Sequence, residues 1–300
     1  MKKLLLSLML CLATTVNATE PIKVPSVWGF AVGSTQGTYF RAMLDQANKE
    51  QLKYEFQFEH KTGAGGSIAA KHVLDAKRPV LLAHSSAFFI RPNLYPDTLY
   101  SIDQFKVVMV QGFSPAALVT KNKSLGDLKN QKRITIGTAG AGSTTHLMAE
   151  EFAKELSNIE VDMIHFQNTL DAYTAVQGGH IDATFEYMGD TKARGGVTTV
   201  GVTGKRSIDG IPALKDVGFP RLADLAAVFL ILTPRDTPDQ QVQELQAILL
   251  SAEKSQTVQN LYRRDYATKE EFLKRPGDYT DWFNQIVKQY KQFTKGIVLK

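Results

Sequence analysis

The chain has 300 residues, a formal net charge of +5 and one cysteine, Cys11. Its charges are mild and interspersed, which excludes a nucleic-acid footprint. With Cys11 near the start and no second cysteine, a disulfide framework and a thiolate metal site are excluded too. The histidines His60, His72, His84, His146, His165 and His180 are scattered, with no i,i+4 pair and no H-E-x-x-H, so neither metal nor cofactor is expected.

The chain begins MKKLLLSLMLCLATTVNA. Two lysines, an apolar stretch and Val16-Asn17-Ala18 form the layout of a secretory signal, cut after Ala18. The stretch is too short to span a bilayer. A lipid anchor at Cys11 is disfavoured by the bulky Leu10 before it. Residues 1–18 are therefore read as a signal peptide and the mature chain as soluble and periplasmic; a monomer is expected. Losing Lys2 and Lys3 leaves 5 − 2 = +3.

IKVPSVWGFAV reads as a buried strand, followed by the turn GSTQGT and a helix with Phe40, Met43, Leu44 and Ala47 at helical spacing. YEFQFEH alternates like a second strand. KTGAGGS is the next turn and IAAKHVLDA the next helix. RPVLLAHSS is a continuous apolar run, the pattern of a parallel strand covered on both faces. FKVVMVQGF and AALVTKN predict two strands near residues 105–121. RITIGTA, a strand, leads through the glycine-rich turn GTAGAGSTTH into the helix HLMAEEFAKEL. VDMIHF, IDATFEYM and TTVGVTG are further strands, with the helix LDAYTAVQGG among them. LAAVFLILTP (225–234) is a strong apolar strand, and the remainder from Pro238 is helical. Repeated strand–turn–helix units make this an α/β chain. One organisation is two lobes, with the chain crossing near 105–120 and returning near 220–235; ligands in such folds bind at the carboxyl ends of parallel strands.

The turn at 137–146 has glycines but no lysine. Glycines admit positive φ and close approach, and the helix start offers unpaired N–H groups and the positive end of its dipole. Ser143 can cap the helix while its neighbours face a cleft. The motif fits a carboxylate-holding turn, and it equally fits a purely structural one.

TGAGGSIAA (62–70), AGAGSTTHLMAEEFAKE (139–155), AVQGGHID (175–182), VGVTGKRSI and IPALKDVGFP together resemble the TctC or Bug family, periplasmic solute-binding proteins of tripartite tricarboxylate transporters. The likeness runs over roughly residues 22–290. It implies a type II-like periplasmic-binding-protein fold: two lobes, each a mostly parallel sheet flanked by helices, with the ligand cleft between them. The expected division is 19–112 plus 226–300 for one lobe and 113–225 for the other. It also implies capture of a small carboxylated solute, delivery to a membrane permease, and no chemical step.

Carried onto this chain, the resemblance places the 139–144 turn (Ala139, Gly140, Gly142, Ser143, Thr144) on one ligand carboxylate. In the first turn the family usually has paired glycines and an aspartate. Here Ser34 replaces the second glycine and Gly37 stands at the aspartate position, leaving Ser34, Thr35, Gln36 and Gly37 as candidates. Gly65 should line the first lobe, and Ser85 and Ser86 should face the cleft from the end of the third strand. In HFQN, Phe166 keeps an aromatic wall. Gln167 stands where the family has a basic residue, so triacids should bind worse than mono- or dicarboxylates. Glu186, where the family has aspartate, fits either a cleft acid or a surface or hinge acid.

Two other readings stand beside this one. A sensor that presents its ligand to a membrane receptor would look the same in sequence. An exported hydrolase using Ser143 or Ser86 with His146 or His84 lacks an acid placed by spacing to orient the base. The signal reading is checked by intact mass: exported protein should start at Thr19 and carry no lipid.

Overall fold

The computed structural model describes residues 20–30, 33–268 and 279–297; the segment read as a signal peptide lies outside them. The chain runs β1 (Ile22–Trp28), α1 (Thr35–Glu50), β2 (Tyr54–His60), α2 (Ser67–Asp75), β3 (Leu81–Ser85), α3 (Ala87–Leu94) and β4 (Phe105–Ser114). Then come β5 (Ala116–Thr120), α4 (Leu125–Lys129), β6 (Arg133–Thr138), α5 (Thr144–Lys154), β7 (Glu160–His165), α6 (Thr169–Gly178), β8 (Ala183–Tyr187), α7 (Met188–Arg194) and β9 (Thr198–Val202). It closes with β10 (Ala227–Pro234), α8 (Asp239–Glu253), α9 (Gln256–Arg264) and α10 (Thr280–Phe293).

The strands form two five-stranded sheets, ordered β2-β1-β3-β10-β4 and β7-β6-β8-β5-β9. β1 lies parallel to β2 and β3, whereas β10 runs antiparallel to both β3 and β4. The second sheet repeats this plan: β6 is parallel to β7 and β8, and β5 is antiparallel to β8 and β9. Each sheet is therefore mixed, with one reversed strand among four that point the same way. The reversed strand is in each case the one entered on changing sheets. β4 passes directly into β5 through Pro115, and β10 brings the chain back to the first sheet.

The apolar runs become fully buried strands, since every residue of β3, β5 and β10 is buried. For β3 the continuous pattern correctly signals cover on both faces, although one of its neighbours, β10, is antiparallel. The amphipathic spacing of α1 buries Phe40, Met43, Leu44 and Ala47 as expected.

An aromatic layer ties the last helix to the first sheet. Phe89 of α3 stacks on Tyr290 of α10 at 5.4 Å, and Phe88 stacks on Tyr100 at 5.1 Å. In the second sheet's layer Phe152 of α5 stacks on Phe219 at 4.4 Å and meets Phe185 of β8 edge-on. Such pairs add to the burial of their area. Phe89 is fully buried, so Phe89→Ala removes both transfer energy and packing. Urea unfolding should show a loss of about 3–5 kcal/mol.

Candidate functional site

Strands of like direction end at one edge of their sheet, and the helices that follow begin there. A cavity of about 630 Å³ opens between these edges. From the first sheet it is lined by Trp28 to Phe30 after β1, Ser34 to Gln36 at the start of α1, and Thr62 to Gly65 after β2. Ser85 at the end of β3, Ala87 at the start of α3, Arg91 further along it and Phe229 of β10 complete that side. From the second sheet come Ala139 to Thr145 after β6, Phe166 to Thr169 after β7, and Tyr187 at the end of β8.

The 139–145 turn spends some of its donors on itself. Gly140 and Gly142 take φ of +96° and +76°, which favours glycine. The N–H of Ala139 donates to Thr145 Oγ1 at 2.9 Å, and that of Ser143 to the Gly140 carbonyl at 3.2 Å. Gly142 N–H donates to His146 Nδ1 at 3.0 Å, so that amide serves the turn rather than the cavity. Ser143 caps α5, its Oγ accepting from His146 N at 3.1 Å. Thr144 and Thr145 head the helix, where no upstream carbonyl is available to their N–H groups.

Behind the turn, His146 accepts at Nδ1, which fixes its ring proton on Nε2, 3.4 Å from Glu150. That contact holds the Glu150 carboxyl below its usual range. His165, edge-on to His146 and bonded through Nδ1 to Thr138 Oγ1 at 2.6 Å, is pushed down by burial and then by His146.

The first-sheet wall behaves differently. Ser34 precedes α1 but makes no side-chain cap, and its Oγ is buried with no partner among the described residues. Thr35 Oγ1 donates to Asp190 Oδ2 of α7 at 2.8 Å, bridging the two halves. Gln36 turns its amide inward, donating to the His84 carbonyl at 2.6 Å. His84 is fully buried against Gly66, where a Cβ would stand 2.3 Å from its Nε2. Burial pushes its pKa down to about 3, beyond what its bond to Ser85 restores.

Of the residues expected from sequence, Ser34, Thr35, Gln36, Gly65, Ser85, Ala139, Gly140, Gly142, Ser143, Thr144, Phe166 and Gln167 line the cavity. Three do not. Gly37 faces the indole of Trp28, where a Cβ would come within 2.7 Å of Nε1. Ser86 is buried under β10, its Oγ accepting from Val228 N at 2.8 Å. Glu186 is fully buried and paired with Arg194 at 2.5 Å. Burial, and then Asp190, push its pKa up to about 7 despite that arginine. It is the next residue, Tyr187, that reaches the cavity.

Sequence reasoning missed Arg91, the one charged side chain in the cavity lining among the described residues. Its signal was available: it is the sole lysine or arginine between Arg78 and Lys106, on the helix that follows the third strand. The aromatic residues Trp28 and Phe30 also sit at a strand end and were legible by the same rule. Phe229 carried no such signal, because β10 is reversed and its start, not its end, meets the cleft.

The family model described as "Tripartite tricarboxylate transporter family receptor" matches residues 40–275. Among solved structures the chain is similar to MatC from Rhodopseudomonas palustris with bound malate, at 19% identity and a TM-score of 0.79, covering 92% of this chain and 100% of that one. It is similar to the periplasmic binding protein BugD at 20% identity and a TM-score of 0.79, covering 91% and 96% of the two chains. R. palustris Rpa4515 with adipate gives 20% identity and a TM-score of 0.78, covering 91% and 96%. These likenesses show the periplasmic-binding-protein fold. No curated protein is similar enough to add to the comparison.

His84 makes stability pH-dependent. Its folded pKa of about 3 lies below the ordinary histidine value of 6.5, so between those values the unfolded chain binds the proton and the folded one does not. The stability it contributes is present above pH 6.5 and is lost as pH falls toward 3. His84→Asn keeps an acceptor near Nδ1 but takes up no proton. Urea midpoints measured from pH 7 to pH 4 should fall less steeply in the variant than in the unmodified protein.

Proposed function

This chain belongs to the tripartite tricarboxylate transporter receptor family, and we propose that it captures a small carboxylated organic solute between two lobes. The family consists of solute-binding receptors rather than enzymes, and its members are periplasmic binding proteins. In this reading residues 19–112 with 226–300 move as one lobe and 113–225 as the other. After export and removal of residues 1–18, the monomeric, loaded protein hands its solute to the membrane permease of a tripartite transporter.

One observation carries the reading. The starts of α1 and α5 face one cavity from opposite sheets, and no acidic side chain lines it among the described residues. A helix start favours an anion through its N–H groups and its dipole. Carboxylates are also what two relatives hold, malate in MatC and adipate in Rpa4515. Mechanistically, a solute that touches both walls favours the closed arrangement by the contacts it gains only there.

A thermal-shift screen of mono-, di- and tricarboxylates, amino acids and aromatic acids tests the class, since a ligand that binds only the folded state raises its melting temperature. Mono- or dicarboxylates should rank above triacids. Calorimetry with the best of them then tests the turn. Ser143→Ala should weaken binding by about 1.5–3 kcal/mol, one hydrogen bond to a charged group. Gly142→Val should weaken it more, because its Cβ would stand 2.7 Å from Tyr95 Cε2 at a φ of +76°. If both variants stay folded and bind like the unmodified protein, the 139–144 turn is not the carboxylate site.

A further inference from the structure

We propose that Arg91 determines specificity by holding a second carboxylate, so that the solute is a dicarboxylate; this rests on the carboxylate reading above. The guanidinium is built into place. Nε donates to Ser67 Oγ at 3.3 Å, and Cζ lies 4.2 Å from the Tyr95 ring centre. Those two contacts fix one edge and one face of the planar group. The chain has also cleared space for it: a Cβ on Gly65 would stand 2.7 Å from Arg91 Cδ and 2.9 Å from Nη1. Gly65, which was expected to line the first lobe, serves by letting the guanidinium pass close to the backbone.

What the guanidinium lacks is an anion. None of the described acidic residues forms an ion pair with it, and only its Nε hydrogen bond is accounted for. Arg91 is half-buried in the cleft, and a cation partly withdrawn from water gains from an anion that meets it there. Its two terminal nitrogens form a fork suited to a carboxylate. Arg91 belongs to the first sheet's side, whereas the 139–145 turn belongs to the other. A Cβ on Gly142 would stand 3.7 Å from Arg91 Cγ, so the two anion-friendly groups meet across the cleft.

Two kinds of anion-holding group face the same space. The starts of α1, α3, α5 and α6 line the cavity beside Arg91, and no carboxylate of the protein does among the described residues. A helix start favours an anion through its N–H groups, and Arg91 adds the one full positive charge in the lining among the described residues. One solute carboxylate then lies on the amides of the α5 turn and the other on the Arg91 fork.

The test sets each diacid against its own monoamide, which has nearly the same shape and one charge fewer. Succinate, glutarate and adipate, each paired with its monoamide, are titrated by calorimetry into the mature protein, Arg91→Gln and Arg91→Lys, with apo melts to verify folding. The unmodified protein should prefer its best diacid over the matching monoamide by about tenfold or more. In Arg91→Gln that preference should collapse to about twofold, while Arg91→Lys, which keeps the charge but not the fork, should lie between. If Arg91→Gln does not fold, the intermediate preference of Arg91→Lys decides. A preference that survives intact in these variants overturns the proposal. If the unmodified protein binds diacid and monoamide equally, Arg91 is not the selector but the carboxylate reading stands. If it binds no carboxylate at all, both fall.

Discussion

Unpaired N–H groups at the helix starts are the constraint around which this cleft is arranged. A parallel strand must return its chain to the far edge of the sheet before the next strand can begin, and the helix that makes the return starts where the strand has just ended. Four strands of each sheet point the same way, so the turns after β1 and β6 open on the same cavity. Their donors cannot be satisfied by the helices they begin. The protein meets part of that demand itself, with Ser143 on His146 N and His146 on Gly142 N. The donors left over belong to whatever enters.

Close approach is the second demand, and it explains Gly66 as well as Gly37 and Gly65, which sequence alone would assign to ligand contact. Gly66 lies against the His84 ring, Gly65 against the Arg91 side chain and Gly37 against the Trp28 indole. In each case a methyl group would collide with a buried or half-buried side chain. The cavity wall on the first sheet's side is thus a packed layer in which an imidazole kept neutral by burial stands close to a cation. Arg91 itself contributes to keeping His84 uncharged, though less than burial does. An acid in this layer would neutralise the guanidinium before any solute arrived.

Most of the fold was legible because periodicity and burial agree. β3, β5 and β10 read as continuous apolar runs and are buried throughout. The helix start at Ser143 was marked by a residue that does cap it. Strand direction was not legible: a buried strand has the same apolar pattern whether it runs with its neighbours or against them, so the reversal of β10 and β5 left no trace. That reversal is why Phe229 at the cleft was missed. Glu186 shows the matching limit on the site. Alternation along β8 says that Glu186 and Tyr187 face opposite ways, but not which of them meets the cavity, and the sequence carried no sign that Arg194 would claim the acid. Arg91 was missed for a different reason. Attention fell on glycine turns, whereas a lone arginine within an apolar helix was the sharper signal, since an unpaired charge there needs a partner from outside.

A chain of polar contacts links the two halves beside the cavity and sets the terms on which they can part. Thr35, in the first turn of α1, gives its hydroxyl proton to Asp190 of α7 at 2.8 Å. Asp190 lies 3.9 Å from Arg194, which is held by the buried Glu186 at 2.5 Å. Glu186 and Asp190 are like charges competing for one guanidinium, and Asp190 adds to the upward shift of Glu186. The arginine is thus engaged mainly within the second half, and among the described residues the Thr35 hydroxyl-to-carboxylate bond crosses from this cluster to the first. A bond of that kind contributes about 1.5–3 kcal/mol. It is strong enough to register the α1 turn against α7. Under the proposal that a dianion is gripped by α5 on one side and Arg91 on the other, its binding energy is added only while both walls are in reach. In that proposal the grip on the solute and the Thr35–Asp190 contact reinforce each other, since both need the two walls together.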